Sequence, residues 1–173
     1  MVIKVNYYEE IKNELINNIL TKKAKDYSKN KSDLMHYYNV GKLLIEAQGG
    51  EERAHYGDVL IKEYSKRLTS ELSKGYDPTT LKRMRKFYLI VQKGAPLEHL
   101  LSWSHYKILI VFSDINKITY YINESVSRNL SKRELQSIIK TNEYERLDIK
   151  TKNKLILEYS SDSRIFSTTY ELV

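Results

Sequence analysis

The segment that decides the fold reads Pro78-Thr-Thr-Leu-Lys-Arg-Met-Arg-Lys-Phe-Tyr-Leu-Ile-Val-Gln92. If it is wound at about 100° per residue, its apolar side chains fall on one side of a helix: Leu81, Met84, Tyr88 and Val91. The opposite side carries one threonine and four cations: Thr79, Lys82, Arg83, Lys86 and Lys93. The pattern predicts a helix with one buried face and one cationic face.

Upstream of this segment, the spacing predicts another helix from Tyr56 to Ser73, with apolar residues at three- and four-residue steps: Val59, Leu60, Tyr64, Leu68 and Leu72. Gly75 is typical of a helix C-cap, because glycine accepts a left-handed conformation. Asp77 and Pro78 fit the N-cap and first position of the next helix. Two helices joined by a glycine-containing turn predict a helix-turn-helix at about residues 56–93.

A basic second helix in this motif indicates nucleic-acid binding, because its first residues reach base edges while flanking cations hold phosphates. Between Lys62 and Lys86 there are eight Lys or Arg against three acids, so this segment holds +5 of the net +7 of the chain. The alternative is a solvated helix face without a ligand. Arg85 borders the apolar side and is expected to have a structural partner.

Composition sets the broad class. The 173 residues suffice for one or two small domains, and two prolines and six glycines favour long helices. The chain has no cysteine, and a sequence pI of about 9.3 permits attraction to polyanions. It shows neither a signal-peptide core nor an apolar run of about 18 residues. We therefore expect a cytoplasmic protein that does not cross a membrane.

Two helices are predicted before the central pair. The first runs from Tyr7 to Lys25 and points Ile11, Leu15, Ile16, Ile19 and Leu20 inward. A polar break at residues 27–31 separates it from a second helix, which is capped by Ser32 or Asp33 and ends near Gln48. The second helix has an apolar face of Leu34, Tyr37, Tyr38, Leu44 and Ile45. Gly41 lies inside it, which predicts close approach of a neighbouring helix.

After the central pair, Ser104 is predicted to cap a helix from His105 to Phe112. Trp103 is either a core anchor or, with His105 beside it, an auxiliary contact at the edge of a nucleic-acid surface. A further helix is predicted from Ile115 to Val126.

The C-terminal part begins with Ser131 and Glu134, which form a capping box for a helix that runs to about Lys140. Residues 155–159 fit a short helix or strand, and Ser160 to Val173 is expected to be loosely held. The fold class predicted overall is all-α, a multi-helix domain with a helix-turn-helix or winged-helix-like core and room for a small β element near the C-terminus.

Several blocks, in order, resemble the N-terminal domain of YhcG-like proteins over about residues 7–148: His36 to Gly41, Arg53 to Gly57, Gly75-Tyr76, Leu81 to Tyr88, Leu101-Ser-Trp-Ser-His-Tyr106 and Tyr144 to Leu147. One position departs from the family pattern, since Leu130 stands where the family has a tryptophan. The resemblance implies a helical, winged-helix-like DNA-binding domain, which precedes a PD-(D/E)xK nuclease domain in full-length relatives. It extends a binding role to five residues of the Pro78 to Gln92 segment: Thr79, Thr80, Lys82, Arg83 and Lys86. We also expect Lys74, Arg53 and Lys93 to contact the nucleic acid.

The expected domains are a helical domain at 1–148 and a C-terminal extension or linker at 149–173, without the nuclease domain. This leaves a standalone binding module, half of a split protein or a truncated one. Asp148-Ile-Lys150 is the nearest fragment to a nuclease motif, but it lacks the strand context that a metal site needs. The four histidines lack ligand spacing. We assign no catalytic residue, metal or cofactor.

Three functions remain open. The first is a module that binds duplex or branched DNA and acts as the targeting part of a nuclease, restriction or mobile-element system. The second is an adaptor that docks a separate PD-(D/E)xK nuclease subunit through its tyrosine-rich surface and the segment after Asn142. The third is a complete small nuclease.

Overall fold

The computed structural model describes residues 7–72 and 74–170, apart from the side chains of residues 9, 11 and 162–170. This part of the chain forms seven α-helices: α1 Tyr7–Gln48, α2 Ala54–Glu71, α3 Pro78–Gln92, α4 Trp103–Leu109, α5 Ile115–Ser127, α6 Lys132–Lys140 and α7 Ile149–Tyr170. A short 3-10 helix, Glu51–Arg53, joins α1 to α2. The predicted all-α class is confirmed. The described residues contain no strand, so the β element and a β-wing are absent from them.

The first helix corrects one prediction, because α1 is continuous where a polar break was expected at residues 27–31. That stretch is polar but contains neither proline nor glycine, so nothing in it interrupts the backbone hydrogen bonds. The Asn30 side-chain amide also donates to the carbonyl of His99 at 3.1 Å. The polar composition of this stretch reflects a solvent-exposed turn of helix and does not mark a loop.

The N-terminal half of α1 corrects a second prediction, since its apolar residues do not face a core. Leu15, Ile16, Ile19 and Leu20 are all exposed, and the side chain of Ile11 lies outside the described residues. The C-terminal half behaves as predicted: Leu34 and Leu44 are buried, and Tyr37, Tyr38 and Ile45 are partly buried.

Gly41 of α1 lies against α3, as predicted. A Cβ built on Gly41 would lie 2.8 Å from the Cβ of Tyr88 and closer still to the carbonyl oxygen of Met84. Real Cβ atoms do not approach backbone this closely. Only glycine at this position lets α1 and α3 pack at their observed separation.

The connection between α2 and α3 agrees with its predicted chemistry at the α3 end. Asp77 is the N-cap, because its carboxylate accepts the backbone N–H of Thr80 at 3.1 Å, and Pro78 is the first helical residue. At the other end α2 stops at Glu71, so Gly75 sits within the connection rather than at the immediate helix end. Gly75 does adopt a positive φ of 116°.

The buried face of α2 agrees with the prediction only in part. Gly57, Ile61 and Ser65 are its buried residues, whereas Val59 and Leu72 are exposed. Gly57 and Ser65 are small residues on either side of Ile61 along this line, which an apolar pattern does not reveal. Tyr64 and Leu68 are partly buried and pack on an apolar cluster, as predicted. Small residues on this line bring α2 close to its neighbours.

Two apolar clusters form the core, and α3 contributes to both. Leu81 and Met84 join Leu44 and Ile61 in the smaller cluster. Phe87 and Ile90 belong to the larger one, which is built mainly by α4, α5 and α6. Other helices cover α3 on more than one side, so Phe87 and Ile90 are buried in addition to the predicted Leu81 and Met84. Tyr88 and Val91, which were also predicted to be buried, are only partly buried.

The C-terminal helices are mostly where they were expected. α5 buries Ile118, Tyr121 and Ile122, with Val126 partly buried, and α6 opens with the Ser131–Glu134 capping box. The helix predicted from His105 begins instead at Trp103, after the N-cap Ser102. The segment around residues 155–159 is part of α7, whose residues Leu155 and Tyr159 pack on the larger cluster. Among the described residues, no helix has the length and apolar character required to cross a membrane.

Candidate nucleic-acid interface

The exposed side of α3 is the candidate site, and three of the predicted contact residues lie along it. Thr79 and Arg83 are exposed, and Lys86 is partly buried. These three residues stand at positions i, i+4 and i+7, so they follow one another along one side of the helix. We call Thr79, Arg83 and Lys86 the α3 row.

The remaining predicted cation of this helix, Lys82, is turned toward α2. Its ammonium group lies 3.2 Å from the carboxylate of Asp58. Arg85 donates to the same carboxylate at 2.8 Å. The hydrogen bond from Arg85 is the main reason that the pKa of Asp58 is lowered, and Lys82 adds to the effect. Lys82 is therefore partly neutralised.

Arg85 has the structural partners that its position predicted. Besides Asp58, it donates to the side-chain oxygen of Gln48 at 3.0 Å, and the Gln48 amide donates to the Gly50 carbonyl at 2.8 Å. Gln48 is 1% exposed. Gly57 leaves space for this network, because a Cβ there would lie 2.7 Å from Arg85 Nη1. The network joins the end of α1, the start of α2 and the middle of α3.

The charge excess predicted for residues 62–86 is smaller in space than in sequence. Asp58 lies just upstream of the counted window, yet it pairs with Lys82 and Arg85 inside the window. Within the window, Arg67 pairs with Glu71 at 3.8 Å. By contrast, Arg83 and Lys86 form no ion pair with any residue that the structure describes. The available positive charge on α3 is concentrated on the α3 row.

Threonine and flanking positions have mixed roles. The hydroxyl of Thr80 donates to the Asp77 carboxylate at 2.7 Å, so it serves the helix cap. Lys93 pairs with Glu51 at 2.8 Å, and both side chains are about half exposed. The guanidinium of Arg53 lies 4.6 Å from the ring centre of Tyr56.

Lys74 is exposed in the connection between α2 and α3. It stands near the N-terminus of α3 in sequence, and its role as a flanking contact stays a prediction.

Trp103 and His105, the predicted auxiliary contacts, are engaged inside the protein. The Trp103 ring lies 4.9 Å from that of Tyr37 and 5.3 Å from that of Phe87, and it touches both apolar clusters. The Nδ1 atom of His105 accepts the backbone N–H of Ser102 at 3.2 Å, and Nε2 lies 2.9 Å from the Leu130 carbonyl. Of the two roles considered for Trp103, the core anchor is the one that the contacts support.

The described residues contain no group of three or more His, Cys, Asp or Glu side chains that could hold a metal ion. Asp148, in the fragment nearest to a nuclease motif, caps α7. Its carboxylate accepts the backbone N–H of Thr151 at 2.6 Å, and this bond lowers the pKa of Asp148.

Sequence comparison decides the family. The sequence-family model described as the DUF1016 N-terminal domain matches residues 10–146, which is most of the chain. The chain belongs to this family. The matched residues run from α1 through α6 and include the α3 row, in agreement with the resemblance found in the sequence blocks.

One curated relative has a functional name. The protein of Escherichia coli (strain K12) named "Putative nuclease YhcG" is 44% identical over 57 residues, which is 32% of this chain and 15% of the relative. The aligned part therefore spans a small fraction of that longer protein. No solved structure matches the chain significantly.

Proposed function

We propose that this chain is a DNA-binding module whose α3 row contacts the phosphate backbone. The observation that carries the proposal is the row itself: Thr79, Arg83 and Lys86 lie on one side of α3, and the two cations have no acidic partner among the described residues. Lysine and arginine on an outward helix face are the groups that neutralise DNA phosphates.

The geometry favours the first half of α3 as the part that enters a groove. In a helix-turn-helix, the N-terminal residues of the second helix contact base edges. Thr79 and Arg83 are exposed at this end, while Ile90 near the other end is buried. The connection from α2 and the Asp77 cap fix the start of α3. Docking by the N-terminal half therefore agrees with the helix-turn-helix interpretation.

The relative supports a proposal for the biological setting. A protein named for nuclease activity shares one segment with this chain. A DNA-binding domain holds a nuclease at its target DNA, whereas metal-dependent cleavage needs a separate set of acidic residues. We propose that the chain acts as the targeting part of a nuclease, restriction or mobile-element system.

A salt titration with matched variants tests DNA contact. The test variant is Arg83→Ala with Lys86→Ala. Its control is Arg133→Ala with Lys140→Ala, which removes the same two residue types from exposed positions on α6. Binding of a labelled duplex is followed by fluorescence anisotropy over a series of salt concentrations. Melting curves of both variants establish that the fold is intact.

The α3 variant should bind more weakly, and its plot of log affinity against log salt should flatten. Each lost phosphate contact reduces that slope by about 0.9 for duplex DNA. Loss of both contacts therefore reduces it by about 2, while the α6 variant keeps the slope of the parent chain. Equal slopes for the two folded variants would exclude the α3 row as the contact.

A second candidate is the adaptor that docks a separate nuclease subunit. The tyrosine-rich surface predicted for this contact is smaller than expected, because four of its tyrosines are buried in the core: Tyr106, Tyr120, Tyr121 and Tyr144. The exposed side chains of Ile149 and Leu157 on α7 favour a contact after Asn142 instead. Light scattering of the pure chain with and without duplex separates the candidates, because only the first requires a protein–DNA complex.

A further inference from the structure

Helix α2 runs along α3 in the opposite direction. Near the start of α2, the carboxylate of Asp58 contacts Arg85 in the middle of α3 at 2.8 Å. Later in α2, Leu68 packs on the apolar cluster that contains Leu81, which lies in the first turn of α3. Residues that follow Asp58 along α2 therefore lie closer to the N-terminal half of α3, the half proposed to enter a DNA groove.

Two lysines follow Asp58 on α2 at four-residue steps. Lys62 and Lys66 are both exposed, and we call them the α2 pair. Residues four apart are neighbours on a helix surface, and each such step moves about 40° round the helix. Because Asp58 reaches Lys82, this flank of α2 borders the outer side of α3. The α2 pair therefore faces the same side of the molecule as Lys82 and, one turn later on α3, Lys86.

The charge of the α2 pair is not neutralised by the nearest acid. Asp58 stands one turn before Lys62, but one of its carboxylate oxygens binds Arg85 at 2.8 Å and the other binds Lys82 at 3.2 Å. Arg85 is only 13% exposed, so its charge needs this acidic partner inside the protein. Within the described part of the chain, neither lysine of the α2 pair forms an ion pair.

The other acids of α2 lie on a different side of the helix. On the helical projection, Glu63 is about 100° and Glu71 about 180° away from Lys62. Glu71 is paired with Arg67 at 3.8 Å. The flank of α2 that borders the outer side of α3 thus carries the lysines, whereas Glu63 and Glu71 are turned away from it.

We infer that the α2 pair is a second phosphate contact, which binds the backbone of the same duplex that the α3 row contacts. The inference rests on the proposed function and extends the contact from one helix to two. In a helix-turn-helix, the first helix crosses the DNA backbone while the second lies in the major groove. Axes of packed helices are about 8–10 Å apart and the major groove is about 12 Å wide, so a strand that borders the groove passes over α2.

The salt dependence of DNA binding by the full chain tests the α2 pair. The test variant is Lys62→Ala with Lys66→Ala. Its control is Lys150→Ala with Lys154→Ala, which removes two exposed lysines at the same four-residue spacing from α7. Alanine is the best helix former, so both helices are retained, and melting curves check this. Binding of a labelled duplex is followed by fluorescence anisotropy from low to high salt.

The α2 variant should reduce the slope of log affinity against log salt by about 2, because each phosphate contact contributes about 0.9. The α7 variant should keep the slope of the parent chain. Combining the α2 variant with Arg83→Ala and Lys86→Ala should reduce the slope by about 4. Lys62→Arg with Lys66→Arg preserves both charges and should keep the parent slope, which a role of the lysines in packing alone does not predict.

The results for the two helices separate this inference from the proposed function. A folded α2 variant that keeps the parent slope, while the α3 variant loses about 2, overturns the α2 contact and leaves the α3 contact standing. An α7 variant that loses as much slope as the α2 variant also overturns the inference, since the effect is then not specific to α2. Equal slopes for the parent and all variants overturn both proposals.

Discussion

Replacing Gly41 with alanine should destabilise the fold, although alanine is the better helix former. A Cβ at this position lies 2.8 Å from the Cβ of Tyr88 and 2.9 Å from the carbonyl carbon of Met84. Carbon atoms in contact are normally about 3.5–4.0 Å apart, so α1 and α3 must move apart by about 1 Å. The obstruction is largely backbone, which no change of side-chain rotamer relieves.

The magnitude follows from two opposing effects. Overpacking of a core contact costs about 1–3 kcal/mol, and a rigid backbone neighbour places Gly41→Ala at the upper end. Alanine returns up to about 1 kcal/mol of helix propensity. The net loss of unfolding free energy is about 2 kcal/mol, which lowers the melting temperature of a chain of this size by about 4–8 °C.

Differential scanning calorimetry of Gly41→Ala against Asn39→Ala measures this effect. Asn39 is exposed on the same helix, so its replacement reports helix propensity without the collision. Asn39→Ala should leave the melting temperature unchanged or raise it slightly. If Gly41→Ala melts at or above the parent temperature, the close approach of α1 and α3 is not what the fold depends on.

Two further predictions concern polar groups. Arg85→Met should lower the unfolding free energy by about 2 kcal/mol, because it leaves the buried oxygen of Gln48 without its donor. Lys82→Met removes only a half-exposed ion pair and should cost less than about 1 kcal/mol in the same urea titration; equal costs would argue against the buried network. Burial and the nearby Lys31 lower the pKa of His99, whose Nε2 atom is buried without a hydrogen-bond partner among the described residues. The unfolded chain then binds the proton more readily, so stability present above about pH 6.5 is lost as pH falls through the lowered pKa. His99→Phe should reduce the difference in melting temperature between pH 7 and pH 5, and an unchanged difference would contradict this assignment.

Local features of the sequence predicted much of the helical architecture. Asp77, Pro78 and the Ser131–Glu134 box predicted helix starts correctly, because a cap is satisfied within a few residues of the chain. Gly41 predicted a close helix contact, since a glycine inside a helix is costly unless packing requires it. The Leu101 to Tyr106 block indicated the family through residue identity alone, and the match over residues 10–146 agrees with it.

Other features needed the tertiary contacts. The polar stretch at residues 27–31 remained helical because nothing in it breaks a helix. Apolar periodicity implied that Leu15 and Ile19 face a core, but periodicity only says that they share a side. Whether a shared side meets the core or solvent depends on where the other helices end.

The candidate site shows the same division between sequence and structure. The sequence by itself determined the all-α class, the start of α3 and the cations that this helix carries, because these follow from local backbone chemistry and residue identity. Only the tertiary structure decided which of those cations are available. Asp58 lies 24 residues before Lys82 in the chain, yet it reaches Lys82 and Arg85 across the contact between α2 and α3, and so Arg83 and Lys86 are left facing outward. Charge pairing acts through space, and the linear order of residues does not contain that distance.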